Sequence, residues 1–241
     1  MKRFFVSVGV LVLILVGYSF WGGLQMHKEE QALNTMSQKQ MNEQNQTNLD
    51  GSYVVDVAAS KVVWTGKKKI IKEWVDKGTL GIKSGKVLIS NSESSFEGTV
   101  GDIVFDMNTI ASKKFGTKEE GEGSPKLDAH LKSADFFDVA KFGESHFKLN
   151  KVTRSDAGFV LEGDLTIKGV TKPVALASIT NLSFVDGSTE YIEADGQVTF
   201  NRTDFGIRFG SDSFFDNLGD NIIEDEISLD LTLVAKKVTN E

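Results

Sequence analysis

The sequence predicts an all-β fold with one or two short helices, an antiparallel barrel or sandwich of about eight strands preceded by an N-terminal hydrophobic helix. Three observations carry this reading. After Tyr53, apolar residues alternate with polar ones over many short segments; Ile103, Phe105 and Met107, for example, alternate with Asp102, Val104 and Asp106. Turn signals such as Ser155-Asp156-Ala157-Gly158, Gly169 and Asp186-Gly187 separate these segments at hairpin spacing. Proline is scarce and glycine frequent (2 and 23 in 241 residues), which suits strands joined by glycine-bearing turns.

The chain begins with Lys2 and Arg3 before an uncharged apolar run over residues 4–24. At about 1.5 Å per residue such a run spans the roughly 30 Å of a bilayer core. Phe20 and Trp21 stand where a cleavable signal needs small residues, and Tyr18 and Trp21 suit an interfacial belt. Residues 1–25 are therefore expected to be a signal anchor or signal peptide, read here as an uncleaved anchor. Residues 26–52 are rich in Gln, Asn, Glu and Lys and read as a polar linker, leaving residues 53–238 as the domain. The expected location is outside the cytoplasm, in the periplasm or cell envelope, with the membrane reached through residues 4–24.

Within the domain, Val55, Val62 and Trp64 open the strand series, and a hairpin is expected around Ser84-Gly85. Residues 113–123 are polar and read as a loop. Strand signals resume with Phe147 and Leu149, then Phe159, Leu161, Leu165 and Ile167, then Ile192, Ala194, Val198 and Phe200. The last strand alternates Ile227, Leu229, Leu231 and Leu233 with Ser228, Asp230 and Thr232. One stretch breaks the period. In residues 124–147, Ser124 can cap a helix, Pro125 suits its first position, and Leu127 and Leu131 share a face. Phe136-Phe137 follow between Asp135 and Asp138, and the whole segment reads as a closure for one end of the barrel.

Composition excludes several functions. A net charge of −7 without a basic stripe argues against nucleic acid, and Lys67-Lys68-Lys69 reads as a solvated strand end. Cysteine is absent, so there is no disulfide, thiol nucleophile or Cys-based zinc site. His27, His130 and His146 lack metal-ligand spacing, and no G-x-S-x-G or Walker loop occurs. Asp220, Glu224, Asp225 and Glu226 match no EF-hand and read as a solvated acidic loop. The expectation is a binding protein, not an enzyme, with no metal and no cofactor.

Four motifs together carry a family resemblance. Leu127-Asp128-Ala129-His130-Leu131-Lys132-Ser133-Ala134-Asp135-Phe136-Phe137-Asp138 resembles the H-L-x-S-x-x-F-F-D signature of the YceI-like family of polyisoprenoid-binding proteins. The segment from Gly163 through Leu165-Thr166-Ile167 to Gly169 and Thr171, the strand Arg202-Thr203-Asp204-Phe205-Gly206, and the loop Ser213-Phe214-Phe215-Asp216 resemble further parts of it in order. One departure is Trp74-Val75-Asp76-Lys77 before Gly78, where family members often carry a His. The resemblance implies a lipocalin-like extended antiparallel barrel in the bacterial periplasm, often dimeric, holding a long amphiphilic lipid such as a polyprenyl phosphate or an isoprenoid quinone.

On that expectation the lining of an apolar tunnel would comprise Trp64, Phe105, Leu127, Leu131, Phe136, Phe137, Phe147, Leu165, Phe200 and Phe205. Ordinary core packing accounts for any one of them equally well. Arg202 would hold an acidic head group, or pair with an internal acid such as Asp204 or Asp164. His130 would hydrogen-bond a head group, or cap a neighbouring carbonyl. The expected function is binding and carrying a long-chain lipid. A filled barrel serving as an envelope interaction or stress-response module, and a lipid isomerase or cyclase, are the alternatives.

Overall fold

The computed structural model describes residues 48–70, 74–114, 121–155, 158–179, 182–185 and 190–238. The predicted anchor and almost all of the predicted linker lie outside these residues, as does the turn at Asp186-Gly187. Among the described residues no helix is long and apolar enough to cross a membrane.

The strands in chain order are β1 (Gly51–Val55), β2 (Lys61–Lys67), β3 (Val75–Ile89), β4 (Val100–Lys114), β5 (Gly121–Glu122), β6 (Glu144–Ser155), β7 (Gly158–Ile167), β8 (Val170–Ile179), β9 (Leu182–Val185), β10 (Tyr191–Asn201) and β11 (Glu226–Lys237). A single α-helix among the described residues, α1 (Pro125–Lys132), separates β5 from β6. Sequential antiparallel pairing runs β2-β3-β4-β6-β7-β8. β10 then meets β8 at Gln197↔Ala177, pairs along its whole length with β11, and β11 returns to β2. Eight strands therefore close on themselves, which resolves the barrel-or-sandwich alternative in favour of a barrel. β1 takes over from β2 between the far halves of β3 and β11, lengthening the barrel at that end.

The alternating pattern becomes an inside and an outside. Ile103, Phe105 and Met107 of β4 are buried, and so are Phe147 and Leu149 of β6 and Leu165 and Ile167 of β7. The β7–β8 hairpin turns on Lys168 and Gly169, both at positive φ (50° and 74°), a pairing whose twist matches the strands. The hairpin expected at Ser84-Gly85 does not form. β3 runs through it as one fifteen-residue strand, with register shifts at Thr79/Gly81 and Ile82/Ser84. The glycines there serve bulges and close approach: a Cβ on Gly85 would lie 2.5 Å from Val55.

Leu49–Glu241 forms a compact unit. All eleven strands and the buried core, from Tyr53 to Ala235, lie inside it, so it has the composition of a self-contained folding unit.

Candidate functional site

The helix is positioned by local chemistry. Ser124 Oγ accepts from the Leu127 amide (3.3 Å) and Pro125 occupies the first turn. Asp128 then fastens α1 to β4, accepting from both the Ser112 amide and the Ser112 hydroxyl at 2.6 Å. After the helix, Lys168 Nζ donates to the Phe136 carbonyl (2.7 Å), pinning the Phe136-Phe137 turn to the β7–β8 hairpin.

Between this helix and the strands lies a cavity of about 600 Å³. Trp64, Phe105, Met107, Leu165, Phe200 and Leu229 form its strand walls, and Leu127, His130, Leu131, Phe136 and Phe137 its helical wall. Its charged lining residues are Lys67, Lys68 and Lys126 against Asp76. Most of the surface is therefore apolar, with cationic groups at the strand and helix ends.

Two buried side-chain nitrogens among the described residues have no hydrogen-bond partner, Trp64 Nε1 and His130 Nε2, and both residues line this cavity. A buried polar atom without a partner costs about 1–3 kcal/mol, so protein folds seldom leave one idle. The Trp64 ring lies flat on Gly78, where a Cβ would collide with it and with the Ala111 carbonyl. The His130 ring is held edge-on between Phe136 (centroids 5.7 Å apart) and Phe209 (4.4 Å). Both nitrogens have essentially no accessible surface even with the cavity open, so they lie behind its wall, and what the site offers an apolar body is the apolar wall itself.

Of the twelve residues named from sequence, nine line the cavity: Trp64, Phe105, Leu127, His130, Leu131, Phe136, Phe137, Leu165 and Phe200. Three do not. Phe147 faces a separate void of about 80 Å³ farther along the barrel, because its ring packs over Gly163, where a Cβ would lie 2.7 Å from it. Phe205 is 1% exposed and packs edge-on to Phe200 (5.5 Å) in the core. Arg202 is fully buried and has no donor left for a ligand. Its Nε bonds the Glu224 carbonyl, Nη1 those of Ile207 and Phe209, and Nη2 the Ile223 carbonyl and Asp225 Oδ1, all at 2.8–3.1 Å. The acid it pairs with is Asp225, not Asp204 or Asp164, and burial pushes its pKa down against the opposing pull of Asp225. Asp225 Oδ2 in turn accepts from Ser211 and Ser213, so part of the expected solvated acidic loop is a structural brace.

Sequence reasoning missed Lys67, Lys68, Trp74, Asp76, Lys126 and Phe209 as lining residues. The triple-lysine run was a visible signal. Phe209 meets that run because Lys69 N–H bonds the Ile222 carbonyl and Glu224 N–H bonds the Lys67 carbonyl, joining segments distant in sequence.

A closed eight-stranded antiparallel barrel around one mostly apolar cavity, with a short helix in its wall, defines a ligand-cavity barrel. The YceI-like domain model matches residues 53–235, and the chain belongs to that family. Among curated relatives, a UPF0312 protein of Vibrio vulnificus (strain YJ016) is 36% identical over 83 residues, 32% of this chain and 44% of the relative. A UPF0312 protein of Vibrio campbellii is 32% identical over 123 residues, 48% of this chain and 65% of the relative. The chain thus spans about half the length of the curated relatives it matches. The crystal structure of Burkholderia cenocepacia BcnA superposes with a TM-score of 0.51 at 20% identity, over 75% of this chain and 98% of that one, and shows the same fold.

Proposed function

We propose that the protein binds and carries a long-chain amphiphilic lipid, a polyisoprenoid or isoprenoid-quinone-like molecule, in the barrel cavity. The observation that carries this reading is the large, mostly apolar cavity, walled by aromatic and aliphatic side chains of the strands on one side and of the helical segment on the other. The volume falls in the roughly 300–1,000 Å³ range of small-molecule sites. At about 25 cal/mol per Å², burying some 200 Å² of lipid tail contributes about 5 kcal/mol without covalent chemistry. Lys67, Lys68 and Lys126 suit an acidic group at the ligand's outer end. Carriage without turnover, with no resident cofactor beyond the lipid, belongs to the same reading. So does export, which rests on the sequence of residues 4–24.

Native mass spectrometry and solvent extraction of the purified protein test it. A co-purifying prenyl lipid is expected, and Phe137→Ala, which removes part of the apolar wall, should weaken its binding about tenfold, the equivalent of about 1.4 kcal/mol of lost burial. The reading fails if protein from several hosts carries no lipid and added prenyl lipids leave its melting temperature unchanged.

A further inference from the structure

Among the described residues every exposed Trp and Phe lies at one end of the barrel, the end where the cavity opens. Trp74 is 50% exposed, Phe209 44%, Phe214 45% and Phe215 50%, joined by the aliphatic Ile70 at 53% and Val75 at 42%. The other exposed large apolar residues are aliphatic, and of these Val54, Leu88 and Val100 sit on strands away from this end. Trp74 and Phe209 belong to the cavity lining, so the exposed aromatic surface is continuous with the apolar interior. Its two loops are fixed to each other. Lys69 N–H bonds the Ile222 carbonyl, Glu224 N–H bonds the Lys67 carbonyl and Lys69 Nζ meets Asp212 at 2.6 Å, while inside the second loop the Ile223 N–H bonds the Gly210 carbonyl. A rigid aromatic rim left in water is costly and is the mark of a surface that meets something apolar.

Its charges say what that is. Lys68 Nζ stands 4.7 Å above the Trp74 ring and the Arg208 guanidinium 4.5 Å from Phe214. Lys67 and Lys126 join Lys68 in the lining, where Asp76 is the one acid and already accepts from Trp74 Nε1 (3.1 Å). This cationic excess belongs to the lining, on a chain of net charge −7; on the aromatic loop itself Asp212, paired with Lys69, and Asp216 flank Phe214-Phe215. Tryptophan and phenylalanine rings among lysines match the interfacial layer of an anionic bilayer, apolar below and phosphate-bearing above.

We propose that this rim is a membrane-docking surface. Trp74, Phe209, Phe214 and Phe215 seat in the bilayer interface, Lys67, Lys68 and Lys126 meet anionic headgroups, and the cavity opens onto the membrane. The purpose of docking, direct loading and unloading of a lipid, rests on the function proposed above; the docking itself does not.

The test uses residues 49–241, the self-contained unit, because the apolar residues 4–24 would bind vesicles on their own. In this unit Trp64 lines the cavity and Trp74 is the exposed indole, so the part of an emission change that Trp74→Phe abolishes is the part that reports docking. Co-sedimentation with mixed phosphatidylcholine–phosphatidylglycerol vesicles is compared with pure phosphatidylcholine. At about fivefold per lysine near an anionic surface, the mixed vesicles should be bound at least tenfold more tightly, with a blue shift of tryptophan emission. Phe214→Ser with Phe215→Ser, both outside the cavity lining, should lose at least tenfold in vesicle binding while co-purified ligand is retained. Failure to bind vesicles, or binding indifferent to the double substitution, overturns the proposal. So does a dimer in solution that the same substitution dissociates and whose emission vesicles do not shift, because the rim then meets a second copy of the chain. Vesicle docking by a protein that carries no extractable lipid would uphold the rim and remove the lipid-carrier reading instead.

Discussion

The two ends of the barrel interior are made from the same alternating strands and are finished in opposite ways. At the end where β1 reinforces the wall, the β3–β4 connection drops Phe96 inward. Its ring is 4% exposed and packs edge-on against Phe159 (4.9 Å), leaving a void of about 80 Å³ among Val87, Ile89, Ile192 and Leu233. Phe96 sits at φ 56°, a conformation that bulky residues seldom adopt, and burial of its ring offsets that strain. At the other end the closing element is α1, which is tied along β4 through Asp128 and so forms a wall in place of a plug. About 600 Å³ stays open behind it. Strand periodicity therefore decides which side chains face inward, but the connections decide whether the interior is filled.

The ends also differ in what holds them. The filled end rests on apolar packing, whereas the mouth loop hangs on one buried cation with five acceptors, four of them backbone carbonyls. Arg202→Ala should therefore have the largest effect. Removing one partner from a buried, hydrogen-bonded charge pair costs about 3–5 kcal/mol, read as a large drop in the chemical-denaturation midpoint. Arg202→Lys should recover little, because three ammonium protons cannot serve five acceptors. A cost below about 1 kcal/mol for the alanine variant, on the same surface-substitution scale, would break the contrast between polar fastening and apolar packing.

Truncating one phenylalanine at each end sharpens it. Phe147 is buried between Gly163 and the small void, so Phe147→Ala should cost about 3–4 kcal/mol. Phe137 is half-buried and faces space that is already open, so Phe137→Ala should cost about 1 kcal/mol or less while weakening ligand retention. Equal stability losses in paired urea titrations would mean that the cavity wall is packed as tightly as the core.

Much of this was readable from the chain because it is local. The cap at Ser124, the proline after it, and the Leu127/Leu131 face specify a helix within about two turns of sequence, and the helix is there. The inward faces of β4, β6, β7 and β11 follow from a two-residue period. What could not be read depends on meetings between distant segments. Ser84-Gly85 reads as a turn because a glycine that admits Val55 leaves the same trace as one that reverses the chain. Arg202 was recognisable as a buried cation, yet its acceptors belong to irregular backbone between Ile207 and Asp225, which has no periodicity to read. The nitrogens of Trp64 and His130, buried behind the cavity wall without partners, show the same limit, because a missing hydrogen bond leaves no mark in sequence.

The smallest effect is a pH dependence confined to the filled end. Tyr53 of β1 is 1% exposed, pairs across from Val87, and donates its hydroxyl to the Leu49 carbonyl (2.8 Å). Burial, reinforced by the negative charges of Glu190 and Asp50, pushes its pKa up to about 12, whereas an unfolded tyrosine titrates near about 10. The folded state thus holds the phenolic proton more tightly than the unfolded state. The contribution is complete below about pH 10 and is lost as pH rises through the folded value, amounting to about 1 kcal/mol by pH 11 and about 2–3 kcal/mol by pH 12. Lysine deprotonation also weakens the fold in that range, so the reading is differential: Tyr53→Phe should flatten the stability curve above pH 10 relative to the parent protein. Parallel curves would mean that the hydroxyl reaches water when it ionises, and that the filled end is less sealed than its 80 Å³ void implies.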